Sequence, residues 1–185
     1  AVGGTTRHTQ TRDMTKARQQ GVRFINISPT REDTIDAVDS EWLAIRPNTD
    51  VALMLGLAHV LLDESLCDTA FLETYTVGFK AFSRYLLGLD DGVAKTPAWA
   101  AQITEIPLER IVDLAKEMAA SRTMISLSWS LTRQHHGEQP FWMGTVLAAM
   151  LGQIGLPGAG LGFGYSAVNN VGQHSAHLPW MPMSR

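Results

Sequence analysis

Cysteine occurs once in 185 residues, so no internal disulfide can form and a metal site built on several thiolates does not fit within the chain. Charge is also scarce. Asp, Glu, Lys and Arg make up 18% of the chain, against about a quarter in ordinary globular proteins, and none of the four occurs between Phe141 and Ser184. The net charge of -3 and the scattered Lys and Arg leave no basic stripe, which argues against nucleic acid as a partner. No apolar run reaches the roughly 20 residues of a membrane span. The longest, from Phe141 to Leu156, is interrupted by Gly144, Gly152 and Gln153 and reads as a buried helix. Nor does a G-x-G-x-x-G motif follow any strand-like segment, so the nicotinamide-dinucleotide fingerprint is missing.

What remains describes a globular chain with 45% hydrophobic residues, long enough for one domain that buries roughly 70% of its unfolded surface. The chain starts at Ala1 without Met or a leader, and its last third has almost nothing to solvate it. Both features are read as those of a fragment that packs against the rest of a larger protein and can self-associate when alone. The compartment stays unassigned. Residues 1–20 are expected to be poorly defined, 21–165 to form an α/β domain, and 166–185 to be a tail out of its normal context.

Met14–Gln20 reads as the end of a helix closed by Gly21. Val22–Ile27 has β propensity and stops at Ser28-Pro29, and Glu41–Ile45 is a shorter strand ended by Arg46-Pro47. Asn48, Thr49 and Asp50 form an N-cap cluster before Val51–Leu62, a helix apolar nearly all round. Asp68 caps a helix over Thr69–Tyr75, and Phe79, Phe82 and Leu86 mark the face of another. Pro97 and Pro107 each suit a first helical position. Leu108, Ile111, Val112, Ala115, Met118 and Ala119 repeat at helical spacing. Thr123–Ser128 reads as a buried strand, and the helix from about Gln139 is too apolar to be solvated on any side. Glycines 155, 158, 160, 162 and 164 suggest close backbone packing or a tight crossover. Strands separated by helices imply right-handed crossovers. The fold class is therefore α/β, three-layered, with a mostly parallel sheet and helices on both faces; three strands are clear.

Three strand ends then share one edge, where open parallel sheets bind ligands: Ile27–Thr30, Arg46–Asp50 and Trp129–Arg133. The helix start at Asn48–Asp50 suits a phosphate or a carboxylate. The Asp50 carboxylate can accept two N–H bonds from a guanine edge, or it can simply stabilise the helix terminus. Arg133 can hold a pyrophosphate bidentately or be solvated. Trp129 can stack on a ligand or belong to the core. His135-His136-Gly137-Glu138 lacks metal-ligand spacing and its adjacent side chains should diverge. His174 and His177 sit in a loop-like tail, His59 reads as a core residue, and Cys67 as a small buried filler.

Three segments, RPNTDVALMLGLAH at 46–59, LSWSLTRQHHGEQ at 127–139 and MLGQIGLPGAGLGFG at 150–164, resemble the dimethyl sulfoxide reductase family of molybdopterin oxidoreductases, in its trimethylamine N-oxide and biotin sulfoxide reductase branch. The resemblance runs from about Gly21 to Asn170. It implies a Rossmann-like domain gripping one guanine dinucleotide arm of bis(molybdopterin guanine dinucleotide), with molybdenum, in an enzyme that reduces an S- or N-oxide. By the same resemblance Ile27, Ser28, Asn48, Thr49, Asp50, Trp129, Ser130 and Arg133 contact the cofactor, with Asp50 on guanine and Arg133 on phosphates. Many relatives carry Asn where Ser28 stands. The molybdenum ligand of this branch is a serine upstream of the region, so neither a catalytic residue nor a metal ligand is assigned here. The chain alone is expected to lack cofactor and activity. Two alternatives stay open: a nucleotide domain of a nicotinamide-dependent dehydrogenase, and a non-catalytic interaction module.

Overall fold

A computed structural model describes residues 9–163; residues 1–8 and 164–185, with His174 and His177, lie outside the described residues. Helix α1 (Thr9–Gln19) begins earlier than its polar sequence suggested and ends where Gly21 takes a φ of 91°, a left-handed stop that glycine adopts without strain. Strands β1 (Ile25–Ile27) and β2 (Glu41–Leu43) pair in parallel, Asn26 opposite Trp42. Each is shorter than its β-prone run. The chain joins them not by a full helix but by two single 3-10 turns, Arg31–Asp33 and Asp36–Val38.

Helix α2 (Asp50–Asp63) is the centre of the molecule. Eight of its residues, Leu53 to Ala58 together with Val60 and Leu61, are buried, as a helix apolar all round requires. Around it pack α4 (Phe79–Leu86), α5 (Pro97–Thr104), α6 (Leu108–Ala120) and α7 (Gln139–Met150). Helix α3 (Thr69–Tyr75) starts at Asp68, whose carboxylate accepts from Phe71 N at 2.9 Å, and α5 starts at Thr96, whose hydroxyl accepts from Trp99 N at 3.1 Å. Both caps follow from the sequence. Pro107 stands one position earlier than expected, at the N-cap of α6, and Leu108 faces solvent.

Strand β3 (Met124–Leu127) pairs in parallel with β4 (Gly160–Phe163), the two connected through α7. Two sequence expectations change here. β3 is not buried on both faces: its residues alternate between exposed and half-buried, because only one side of the pair carries a helix among the described residues. β4 lies within the glycine run, whose weak β propensity hid it. Glycine is needed on the helix above. A Cβ on Gly144 of α7 would sit 2.8 Å from Leu127 and 3.1 Å from Leu161, so its absence lets α7 rest on the strand pair. Gln153 fixes the start of β3, accepting from Thr123 N at 2.7 Å and donating to Ser121 O at 2.8 Å. Helix α7 lies between α2 and the β3–β4 pair, as its apolar sequence required, although Trp142 on its remaining side is 70% exposed.

The architecture among the described residues is thus mixed α/β, with two two-stranded parallel sheets and seven α-helices. At the amino ends of β1 and β2 a polar network ties strand to helix. Glu41 accepts from Arg110 at 2.5 and 3.0 Å and from Arg23 at 2.6 Å, and Glu117 closes the group. These guanidinium donors, Arg110 foremost, hold the Glu41 carboxyl below its usual range against the opposing effect of burial.

The tightest helix contact offers a test. A Cβ on Gly56 would stand 2.5 Å from the Cβ of Ala100, so α2 and α5 approach nearly backbone to backbone. Gly56→Ala should destabilise the protein by about 1–3 kcal/mol, the usual cost of overpacking a core, read from urea unfolding midpoints. An unchanged midpoint would mean that the two helices are not in register.

Candidate functional site

The carboxyl ends of β1, β2 and β3 converge on a cavity of about 200 Å³. Pro29 follows β1; Ile45, Pro47, Asn48 and Asp50 follow β2; and Ser130, Leu131, Arg133 and Gln134 follow β3. The two strand pairs are not hydrogen-bonded to each other, yet their carboxyl ends meet, as a ligand edge requires. The volume is below the roughly 300–1,000 Å³ that encloses a drug-sized ligand. One planar ring or one phosphate group fits; a dinucleotide would extend beyond it.

Four of the eight residues singled out from the sequence line this cavity: Asn48, Asp50, Ser130 and Arg133. Asn48 has a φ of 64°, a left-handed conformation that asparagine tolerates better than most residues, and it turns the chain into α2. Thr49 occupies the N-cap, but its hydroxyl donates to Arg46 O at 2.6 Å instead of accepting from the first turn of α2. Asp50 opens the helix. Burial raises its pKa and outweighs the opposing effect of a bond from its own backbone N–H. A half-buried carboxylate short of donors gains most from a ligand that brings N–H groups.

Ser130 and Arg133 belong to a 3-10 turn, Trp129–Arg133, that Ser128 caps through Ser130 N at 3.3 Å. Arg133 is exposed and makes no ion pair among the described residues. It lines the same cavity as the Asp50 carboxylate, so base-like and phosphate-like partners can both be met there.

The other four stand back from the cavity. Ile27 packs against the apolar core. Ser28 is buried, and its hydroxyl is hydrogen-bonded to Asp33. Thr49 is committed to Arg46, and Trp129 is 41% exposed. The rest of the lining is Pro29, Pro47 and Leu131, which the sequence placed in the strand-end segments without giving them a contact, and Ile45 and Gln134, which fell outside those segments. The two X-Pro strand ends were the available signal, since proline stops a strand and leaves its flank irregular.

The histidine pair departs from expectation. The rings of His135 and His136 lie 3.8 Å apart because His136 takes a φ of 56°, which folds neighbouring side chains toward each other. No group of three His, Cys, Asp or Glu side chains converges as a metal site among the described residues. Cys67 is half-buried and its thiol is pushed up to about 11 by that burial, as suits a filler.

Asp50 yields a pH prediction for the cofactor-free protein. Its pKa is raised in the fold above the ordinary 3.8, so the folded state binds a proton more tightly than the unfolded one. The stability that this supplies is complete below 3.8 and is lost as pH rises through the folded value. Asp50→Asn removes the buried charge. It should raise the unfolding midpoint of the cofactor-free protein at neutral pH and leave it unchanged at pH 3. An equal midpoint at both pH values would show that the carboxylate is fully solvated.

Comparison with known proteins agrees with the resemblance. The family model described as molybdopterin oxidoreductase matches residues 4–178. A dimethyl sulfoxide/trimethylamine N-oxide reductase of Cereibacter sphaeroides is 49% identical over 156 residues, 84% of this chain and 19% of the relative. A biotin sulfoxide reductase of the same organism is 48% identical over 154 residues, covering 83% and 21%. A trimethylamine-N-oxide reductase of Haemophilus influenzae is 46% identical over 154 residues, covering 83% and 19%. The chain therefore spans about a fifth of the length of these relatives. Among solved structures, acetylene hydratase from Pelobacter acetylenicus superposes with a TM-score of 0.66 at 24% identity, over 80% of this chain and 20% of that one, a likeness of fold.

Proposed function

The chain belongs to the molybdopterin oxidoreductase family, and we propose that it is the part of a larger molybdenum enzyme that grips one guanine dinucleotide arm of bis(molybdopterin guanine dinucleotide). The enzyme so assembled reduces an S- or N-oxide by oxygen-atom transfer. The observation that carries this reading is the Asp50 carboxyl, desolvated at the start of α2 in a cavity that also presents Asn48, Gln134 and Arg133. A carboxylate in that setting favours a base edge offering two N–H donors, and guanine offers N1–H beside N2–H. The names of the relatives, reductases of S- and N-oxides, support the reaction class.

The residues present fit the group. Asp50 takes the base. Arg133 meets a phosphate, bidentately where the fork allows. Asn48, Thr49 and Ser130 supply polar atoms along the edge, Trp129 an aromatic surface, and Ile27 and Ser28 the start of the turn that carries Pro29 into the wall. When bound, the molybdenum supplies the two-electron chemistry of oxygen-atom transfer; this chain binds and orients. In the whole protein the two strand pairs belong to one Rossmann-like, three-layer sheet whose remaining cover comes from the parent's other domains. A nicotinamide-dependent dehydrogenase is disfavoured by Ser28-Pro29-Thr30, where a glycine-rich turn would have to follow β1.

In the full-length parent, Asp50→Ala should lower cofactor retention by about 1.5–3 kcal/mol, the worth of a hydrogen bond to a charged group. Arg133→Ala should weaken retention as well, and Arg133→Lys should recover only part, since lysine lacks the planar fork. Molybdenum and guanine per purified protein are the measurements. Wild-type occupancy in Asp50→Ala would remove the carboxylate from the site, and equal occupancy across the Arg133 series would leave the guanidinium solvated.

The 185-residue chain by itself should hold no molybdenum and reduce no trimethylamine N-oxide in a reduced-viologen assay, because one arm of a two-armed cofactor is all it can grip. With Trp142, Leu156 and Ile154 exposed, it should elute as dimers or larger species in size-exclusion chromatography with light scattering. Turnover or stoichiometric molybdenum would identify a complete enzyme instead.

A further inference from the structure

We propose that Asp33, which stands outside the cavity wall, is a positioning residue for the nucleotide site: through the hydroxyl of Ser28 it fixes the turn after β1 and so holds Pro29 in that wall. The inference rests on the reading of the cavity as the guanine dinucleotide site.

The turn is closed by hydrogen bonds that leave Ser28 no freedom. Its N–H donates to Leu43 O at 3.2 Å, continuing the parallel pairing of β1 with β2. Its carbonyl accepts from Trp42 Nε1 at 2.9 Å. Its hydroxyl accepts from Thr30 N at 3.3 Å and donates to the Asp33 carboxylate. Ser28 is 3% exposed, so no water can replace a lost partner at this hydroxyl. Two residues before it Asn26, also buried, donates to Arg31 O at 3.1 Å. The segment from Ser28 to Asp33 is therefore folded back on the strand it leaves, with the carboxylate as its far anchor.

Asp33 is suited to that role. Chiefly the Ser28 hydroxyl, with a smaller contribution from Thr30, holds its carboxyl below the usual range although burial opposes this. An ionised acceptor makes the stronger bond. Pro29 is the residue next to Ser28, and its φ is locked by its ring. Once Ser28 is fixed, the place of Pro29 in the cavity wall is largely fixed with it. Ser28 is buried, so a hydroxyl left there without its acceptor should cost some stability as well as loosen the wall of the site; the variant that keeps an acceptor, Asp33→Asn, separates the two effects.

The test uses the full-length parent carrying its cofactor, with Asp33→Ala, Asp33→Asn, Ser28→Ala and the Ser28→Ala/Asp33→Ala double variant. Molybdenum and acid-released guanine per protein are followed over time after dilution, and the thermal midpoint of each cofactor-free protein is recorded. Asp33→Ala should lose cofactor roughly tenfold faster, the scale of one hydrogen bond to a charged group. Asp33→Asn should recover most of the loss, because its Oδ1 still accepts from Ser28. The double variant should be no worse than either single one, since both act through one bond, and Asp33→Asn should keep a thermal midpoint near that of the wild type. Wild-type retention in Asp33→Ala, additive losses in the double variant, or equal losses in Asn and Ala variants with a lowered midpoint would each overturn the assignment. Asp50→Ala serves beside them as the control on the site itself. Wild-type retention there removes the reading of the cavity whatever the Asp33 variants do, whereas loss there with wild-type retention in Asp33→Ala removes this inference alone.

Discussion

A helix with no polar side cannot face water, and the burial of α2 on that account organises both the core and the site. Once α4, α5, α6 and α7 have closed round it, its amino end can point only along the edge where β1, β2 and β3 finish. That end carries Asn48, Thr49 and Asp50. The hydrophobic burial that stabilises the domain therefore also aims a carboxylate, with a precision that a loop alone would not give. Gly56 shows how close the fit is, since the approach of α5 depends on a missing Cβ.

The two ends of the strands have opposite characters. At the amino ends of β1 and β2, two arginines and two glutamates satisfy one another, with only Arg110 Nη1 buried and without a partner among the described residues. At the carboxyl ends, charges are left apart: Asp50 has its pKa raised by burial, and Arg133 has no carboxylate beside it. A balanced network holds structure together, whereas an unbalanced pair of charges round a cavity is what a ligand with donors at one end and an anion at the other can balance. Ser28 and Asp33 stand between these regimes. Their bond is structural in form, and its effect falls on the cavity wall.

The outer surface also bears on the whole protein. β3 is covered on one face, and α7 presents Trp142 outward. The chain spans about a fifth of its reductase relatives, so cover from elsewhere in a longer protein is the natural complement to these faces. An apolar stretch without a single charge from Phe141 to Ser184 is consistent with that arrangement.

The amino-acid sequence alone determined the local signals. The caps at Asp68 and Thr96, the helix apolar all round, the proline-terminated strand ends and the family motifs each rest on short-range chemistry or on residue identity. These signals alone point to Asn48, Asp50, Ser130 and Arg133. Tertiary structure decided what depends on residues far apart. β4 forms because Gly144 lets α7 settle on Leu127 and Leu161, a contact that glycine-rich sequence conceals. Ser28 turned inward because Asp33 and Trp42 meet it in space, and Gln134 joined the wall because the turn after β3 folds beside Asn48. Two strand pairs stand where one sheet was expected, since hydrogen bonding between strands is fixed by packing between layers and not by the period of either strand.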